Sequence, residues 1–439
     1  MKTNRRDFLI KAGLASAAFT LFPTIVKPSV LGGGGRMLPG DKISMVLIGC
    51  GGQGRWNLDQ FLQLNEVQVV AVCDVDKSQS ALAKKMVDDK LGNSDCRVYN
   101  DFMELLEKEQ ADAAILALPD HWHALIGIAV ANKKIDIYGE KPLARTIGEG
   151  RAVVNAAEKN NIVWQMGSWQ RSQNHFRYAA ELVINGRIGK VDFVEVSLHD
   201  GRNIIENPPI QPVPAGVDWD RWLGPAPKVP YRGVMHGNWR FINDYGGGQL
   251  TDWAGHHIDI AHWGLGFDRT GPISVEGTGR SYPDGIYDAF AEYDFTCVYA
   301  NGLKMRVANR SKLENAGALW KAKDIGILWK GSDGWVYVSR GQIKASDDKI
   351  LKEVIGEKEI NLYRSTNHHQ NFIDCVRSRK ETITPAEVGH RSISVGLLGE
   401  IAMITGRKIH WDPQTEKFTD NDIPATRLLK RPFRDPWKL

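Results

Sequence analysis

Cysteine is scarce in this chain, five among 439 residues, and none falls in a CxxC pair or at regular spacing. An odd number of thiols, with Cys50 inside a glycine turn, argues against a disulfide framework and for buried free thiols. Long apolar runs are missing as well. A bilayer span needs about twenty uninterrupted apolar residues; the Ala-rich stretch that reaches Val26 is shorter and is broken by Lys11, so an integral membrane protein is excluded. No HxxxH pair occurs, and no internal repeat. Excess charge is confined to one end. Residues 1–30 hold five basic side chains and one acid, the whole formal surplus of +4, which leaves the body near neutral and without the basic footprint of a nucleic-acid binder.

What is present begins with an address. Asn4-Arg5-Arg6-Asp7-Phe8-Leu9-Ile10 sets twin arginines before a weak apolar core, the pattern of a twin-arginine export signal, which carries folded proteins across a bacterial inner membrane. Residues 1–40 are therefore read as signal and linker, the twin-arginine machinery as a partner and the periplasm as the destination. A protein that folds before export can carry a tightly held cofactor with it.

The most specific signal follows. Gly49-Cys50-Gly51-Gly52-Gln53-Gly54 comes directly after the apolar run Ile43–Ile48, and Asp74 ends a second run, Val67–Cys73. A strand delivers the chain to a tight turn at Gly49, Gly51 lets backbone approach a pyrophosphate, and Gly54 lets the next helix pack closely. The helix N-terminus, with Gly52 and Gln53 in its first turn, offers N–H groups to the phosphates. Asp74 is placed to accept hydrogen bonds from the adenosine ribose hydroxyls and to repel a 2′-phosphate, so NAD is expected rather than NADP.

Short apolar runs at 43–48, 67–73, 113–118, 135–138 and 162–165 alternate with helical segments such as 78–91 and 123–131, a βαβ series that predicts a parallel sheet. Beyond residue 168 the texture changes: 191–197 alternates, and 287–309 and 335–338 carry the β-branched and aromatic residues of antiparallel strands. The expected fold is α/β: a Rossmann dinucleotide-binding domain over 41–167, then an α+β domain over 168–410 with a large, open, mainly antiparallel sheet. Residues 411–439 are read as a Pro-rich tail wrapping the surface. A Pro/Gly/Trp-rich excursion spans about 200–248, and 366–378 and 385–404 read as helices.

Two clusters carry chemistry. Pro119-Asp120-His121-Trp122-His123 and Tyr138-Gly139-Glu140-Lys141-Pro142 each follow an apolar strand, which puts them at the carboxyl ends of parallel strands, where ligands bind. Pro119, His123, Glu140 and Lys141 are assigned to the cofactor side. Lys141 is also a candidate to point its ammonium at a substrate hydroxyl. The second cluster runs from Gly246-Gly247-Gly248 to Trp263. On a helix starting near Leu250, Asp252 and His256 are i,i+4, and Asp259 extends that face. A carboxylate beside an imidazole raises its basicity, as a base removing a hydroxyl proton needs. The ligand types in this segment raise the metal alternative, but His256 and His257 point in different directions, and no metal is assigned. Gln170, Arg171, His236, Trp239, Arg240 and His257 are the expected substrate contacts. The tryptophans of the excursion, Trp219 and Trp222 among them, suit sugar rings or architecture equally.

These elements together, the glycine turn at 49–54, Asp74, Glu140-Lys141-Pro142 and the Gly-rich Asp252-x-x-x-His256-x-x-Asp259 segment, resemble the Gfo/Idh/MocA oxidoreductase family over roughly residues 42–400. The resemblance implies NAD(P)-dependent oxidation or reduction of a sugar or cyclitol hydroxyl, and a homo-oligomer (dimer or tetramer) built through the open sheet. By position, Lys141 matches the family's active-site lysine, His256 its acid/base histidine and Asp252 that histidine's partner. The Trp-rich insertion and the His256-His257 pair resemble the exported subgroup of sugar-degrading Bacteroidetes, some of which act through a 3-keto glycoside. The rival reading is a glycosidase that recycles bound NAD through oxidation, elimination, hydration and reduction. A non-catalytic sugar- or nucleotide-binding protein is a third, and intact Lys141 and His256 speak against it.

Overall fold

The computed structural model describes residues 41–314 and 325–439; the twin-arginine segment and its linker, residues 1–40, lie outside them. Six parallel strands form the first sheet: β1 (Ile43–Ile48), β2 (Val67–Cys73), β3 (Arg97–Tyr99), β4 (Ala113–Leu116), β5 (Asp136–Gly139) and β6 (Trp164–Met166). Their order is β3-β2-β1-β4-β5-β6. β1 is buried at nearly every position and β4 and β5 throughout, as central strands covered by helices on both faces must be. The crossovers are α1 (Gly52–Leu62), α2 (Lys77–Leu91), α3 (Phe102–Lys108), α4 (Asp120–Asn132) and α5 (Ile147–Asn160). The strand order reverses between β1 and β4, and this opens a crevice at their carboxyl ends. Five of the strands lie where the apolar runs place them, β1 and β2 with the expected ends and the others with ends shifted by one or two residues. β3 is three residues at the sheet edge with two exposed, too short to leave a period in the sequence.

The second sheet has nine strands: β7 (Val191–Leu198), β8 (Ser274–Arg280), β9 (Glu292–Val298), β10 (Lys304–Asn309), β11 (Gly326–Gly331), β12 (Gly334–Ser339), β13 (Gln342–Ala345), β14 (Ile409–Asp412) and β15 (Lys417–Phe418). The order is β13-β12-β11-β7-β10-β9-β8-β14-β15, antiparallel throughout except for β7 beside β10. Its helices are α6 (Asn174–Ile184), α7 (Trp219–Leu223), α8 (Gly248–Leu265), α9 (Arg310–Glu314), α10 (His368–Ser378), α11 (Ala386–Thr405) and α12 (Ile423–Arg427). β9 alternates as a one-sided strand should: Tyr293, Phe295 and Cys297 point inward and their neighbours do not. α8 is buried almost all round, packed against α6, α11, β7 and β11. Gly264 on α8 leaves room for Trp329 of β11, whose indole N–H donates to the Ala261 carbonyl at 3.2 Å.

The excursion is a small core of its own. Trp219 and Trp222 stack at 4.8 Å and are buried with Tyr231, Trp239 and Tyr245. Two backbone bonds dock it on the turn between β2 and α2: Asp218 N–H to Val75 O at 2.9 Å and Lys77 N–H to Gly216 O at 3.0 Å. The last residues pack back on the first domain and on the excursion. Arg431 pairs with Glu149, Arg434 with Asp220, and Trp437 packs edge-on against Trp122 at 4.7 Å. All five cysteines are buried free thiols. Among the described residues no helix is long and apolar enough to cross a membrane.

Trp329 ties the sheet to the helix that carries the Asp252 segment. Trp329→Ala removes a fully buried indole and should cost about 3–5 kcal/mol, read as a fall in the urea midpoint with an unchanged slope.

Candidate active site

The glycine turn is built as its sequence requires. Gly49 has φ +92°, and a Cβ there would lie 2.2 Å from the Ala117 carbonyl oxygen; one on Gly54 would lie 1.9 Å from Gly49 O. Gly51 and Gly52 differ: a Cβ on either meets nothing within 4 Å, so the backbone there faces open space. Gly51 caps α1 with no side-chain bond, which leaves the first-turn N–H groups available to an anion. A cavity of about 420 Å³ opens here, lined by the glycine turn, Asp74, Pro119, Asp120, Glu140, Lys141 and Asp252. Asp74 accepts from Cys50 N–H at 2.6 Å and Asp76 N–H at 2.8 Å. Burial pushes its carboxyl up to about 6, against those two bonds. The turn, the open cradle and the buried acid fit a dinucleotide.

Glu140 stands behind the turn. Its Oε1 accepts from the amides of Gln53 at 2.9 Å and Asn57 at 2.8 Å, which clamps α1 to the Glu-Lys-Pro loop. The next residue, Lys141, crosses to the second domain. Its Nζ lies 2.6 Å from Asp252 Oδ1 and 3.2 Å from the Asp252 carbonyl. Arg240, stacked on Trp239 with its guanidinium 4.5 Å from the ring centre, also reaches Asp252 Oδ1, at 3.4 Å. Burial alone would raise the Asp252 pKa, but the charges of Lys141 and Arg240 outweigh it and hold the group below the usual carboxylate range. Arg145, three residues past the cis Lys141–Pro142 bond, makes a bidentate buried pair with Glu400 of α11 at 2.7 and 2.8 Å.

Several sequence expectations change here. Asp252 does not partner His256: the helix turns its carboxylate toward Lys141 and Arg240, and sharing a helix face at i,i+4 does not bring the side chains into contact. His256 lies outside the cavity lining, between Trp169 and Trp253 at 6.3 and 5.5 Å, with Nδ1 buried and unpartnered. Burial, with the charges of Lys141 and Arg340, lowers its pKa well below the ordinary value, so the ring is neutral. Asp259 does not extend the Asp252 face. It pairs with Arg171 at 2.8 Å, and Asp268 takes the other side of the same guanidinium. Arg171, 2 % exposed, is thus an internal tie and not a substrate contact. The two carboxylates keep it charged despite its burial.

Gln170 and His257 are likewise interior. Gln170 Nε2 lies 3.3 Å from His257 Nδ1, and Gln170 Oε1 accepts from Arg340 at 3.0 Å. His123 lies outside the cavity lining, its ring between the carbonyls of Leu118 and Pro142, where burial lowers its pKa to about 4. It braces the loop and does not face a cofactor. His236 is exposed and lies 3.8 Å from Asp76, at the Asp74 end of the cavity and not beside Lys141. Trp239 and Arg240 line the cavity; Trp219 is spent on the aromatic core.

Sequence reasoning missed the Arg340 guanidinium, which sits 4.5 Å from the ring centres of both Trp169 and Trp253; these residues lie 84 or more positions apart and leave no local pattern. It missed Trp437 of the tail, which lines the cavity, for the same reason. Asp120 lies inside the Pro119–His123 motif, but nothing in its spacing marks it. Among the described residues no three His, Cys, Asp or Glu side chains group closely enough to hold a metal ion.

Fold and cavity together define a two-domain protein with a dinucleotide-binding Rossmann fold. Residues 43–168 match the oxidoreductase family's NAD-binding Rossmann fold and residues 199–439 its C-terminal alpha/beta domain. The chain belongs to the Gfo/Idh/MocA family. It is 29% identical to inositol 2-dehydrogenase of Salmonella typhimurium over 127 residues, 28% of this chain and 36% of that protein. A glycosyl hydrolase family 109 protein of Solibacter usitatus is 28% identical over 163 residues, 36% of this chain and 37% of its own. These alignments span little more than a third of either relative. The WlbA dehydrogenase of Bordetella pertussis, solved with NADH and UDP-GlcNAcA, superimposes with a TM-score of 0.61 at 18% identity, over 84% of this chain and 99% of that one.

Two outcomes follow. NAD affinity, read by quenching of tryptophan fluorescence, should be full above about pH 6, where Asp74 is ionised. It should fall by about tenfold per pH unit below that; Asp74→Asn should bind weakly with no such slope. Arg171→Ala leaves Asp259 buried and unpaired and should cost about 3–5 kcal/mol in chemical unfolding, whereas Arg240→Ala should cost within about 1 kcal/mol.

Proposed function

We propose that this protein transfers hydride between a hydroxyl-bearing carbon of a sugar, glycoside or cyclitol, C3 in the case of a glycoside, and a tightly bound nicotinamide cofactor. The observation that carries the reading is the Lys141–Asp252 pair in the wall of the same cavity as the glycine turn. NAD, held along Gly49–Gly54 and Asp74, supplies the hydride acceptor when bound. Asp74 favours NAD over NADP through the charge it would set against a 2′-phosphate. Asp252 takes one N–H of the Lys141 ammonium and its own carbonyl a second, which aims the third at a substrate oxygen. There the cation stabilises negative charge as the hydroxyl proton leaves. Neutral His256, one turn beyond Asp252 on α8, is the base to receive that proton.

The twin arginines support export to the periplasm with cofactor in place, and the family resemblance supports a homo-oligomer. A glycoside hydrolase that returns its cofactor unchanged is the second reading, favoured by the Solibacter relative.

Protein purified without added cofactor, mixed with a panel of glucosides, galactosides and inositols, separates the two. A lasting rise in reduced-nicotinamide absorbance with an intact oxidised product supports the dehydrogenase; free reducing sugar without a lasting rise supports the hydrolase. Lys141→Met should lower kcat by about 10²–10⁴ with NAD still bound, and an unchanged kcat would overturn both readings.

A further inference from the structure

One acid in the cavity wall is used by nothing else. Asp120 opens α4, lines the cavity and is 4 % exposed. The other carboxylates of that wall are occupied: Asp74 by two backbone N–H groups, Asp76 by Ser78, Asp101 by Met103 N–H and Arg221, Glu140 by two amides, Asp252 by Lys141 and Arg240. Among the described residues no hydrogen bond or ion pair reaches the Asp120 carboxylate. The charged groups that face it are Asp252 from α8, Arg240 from the turn before α8, Lys141 from the loop after β5, and Arg145, whose guanidinium is committed to Glu400. Its burial carries a desolvation cost that the charges of Arg240 and Lys141 offset only in part. A ligand that donates to it removes that cost.

The cavity therefore presents an ammonium donor, Lys141, and an open acceptor, Asp120, in one wall. A pair of hydroxyls on neighbouring carbons matches this polarity, one oxygen receiving from the lysine and the other hydroxyl donating to the carboxylate. Resting on the reading of the cavity as a site for sugar or cyclitol hydroxyls, we propose that Asp120 accepts a hydrogen bond from the hydroxyl adjacent to the one oxidised, so that the enzyme selects vicinal diols. Burial and the Asp252 charge push the Asp120 carboxyl up to about 7, against Arg240 and Lys141. The accepting ion is gained as pH rises through that value, so diol binding strengthens in the same direction.

The test uses NAD-loaded protein and calorimetric titration with methyl β-glucoside, methyl β-galactoside and myo-inositol, each beside the deoxy analogues lacking a single hydroxyl. Asp120→Asn, close in shape and free of the buried charge, should fold with stability equal to or above that of the wild type. It should bind the best of these ligands about ten- to a hundredfold more weakly, lose the pH dependence near 7, and keep its NAD affinity. The deoxy analogue lacking the adjacent hydroxyl should bind wild type and variant alike. Equal weakening of that analogue, or a fall in NAD affinity, overturns the assignment to substrate, and unchanged diol binding overturns any role in recognition. A wild type that binds NAD but none of the polyols overturns the parent reading, and this inference with it.

Discussion

Everything at the site depends on one ion pair made between domains. Lys141 leaves the carboxyl end of β5 and Asp252 sits in the first turns of α8, yet their charged atoms meet at 2.6 Å. Neither domain could keep its half alone: a half-buried ammonium without its carboxylate loses its aim, and a half-buried carboxylate without its cation is drawn toward its protonated form. The distance holds because the backbones behind it are locked. Arg145 bonds Glu400 across the same boundary, and Glu140 clamps the glycine-turn helix to the loop that carries Lys141.

Around this pair the protein sorts its ionisable groups by burial. Its buried histidines are kept neutral, His256 and His257 because a second charge beside Lys141 and Arg340 would find no water to solvate it. Arg171 takes the opposite course, keeping its charge in the interior by holding two carboxylates at once. The result is a cavity wall in which Asp252 stays paired and ionised, while Asp74 and Asp120 are the acids raised toward neutrality.

The Trp-rich excursion and the tail complete the cavity from outside both sheets. The excursion buries Trp219, Trp222 and Tyr231 against each other and so becomes rigid enough to present Trp239 and Arg240 to Asp252. The tail is tied down by Arg431 and Arg434 and ends with Trp437 against Trp122. Segments that read as loops thereby become walls, because aromatic burial stabilises them without regular hydrogen-bond ladders.

The parallel sheet, the glycine turn, the Asp74 acid and the Lys141 loop were legible in the sequence, because each rests on local rules: apolar periodicity, positive φ, close backbone approach, and position at a strand's carboxyl end. The existence of the antiparallel strands was legible in part, through an alternation that β9 keeps, whereas β7, expected to alternate, is buried from Val194 to Leu198 because it lies inside the sheet. What only the tertiary structure decided was which side chains meet. Asp252 and His256 share a helix face, but a lysine 111 residues away competes better for the carboxylate than an imidazole four residues on. Arg171, next to a cleft-lining segment in sequence, is drawn inward by Asp259 and Asp268. Asp120 acquires its open, buried carboxylate only when α8 and the excursion close over it. Periodicity encodes the face of an element, whereas partner choice among charged groups is set by Coulomb energy and desolvation across segments far apart in the chain.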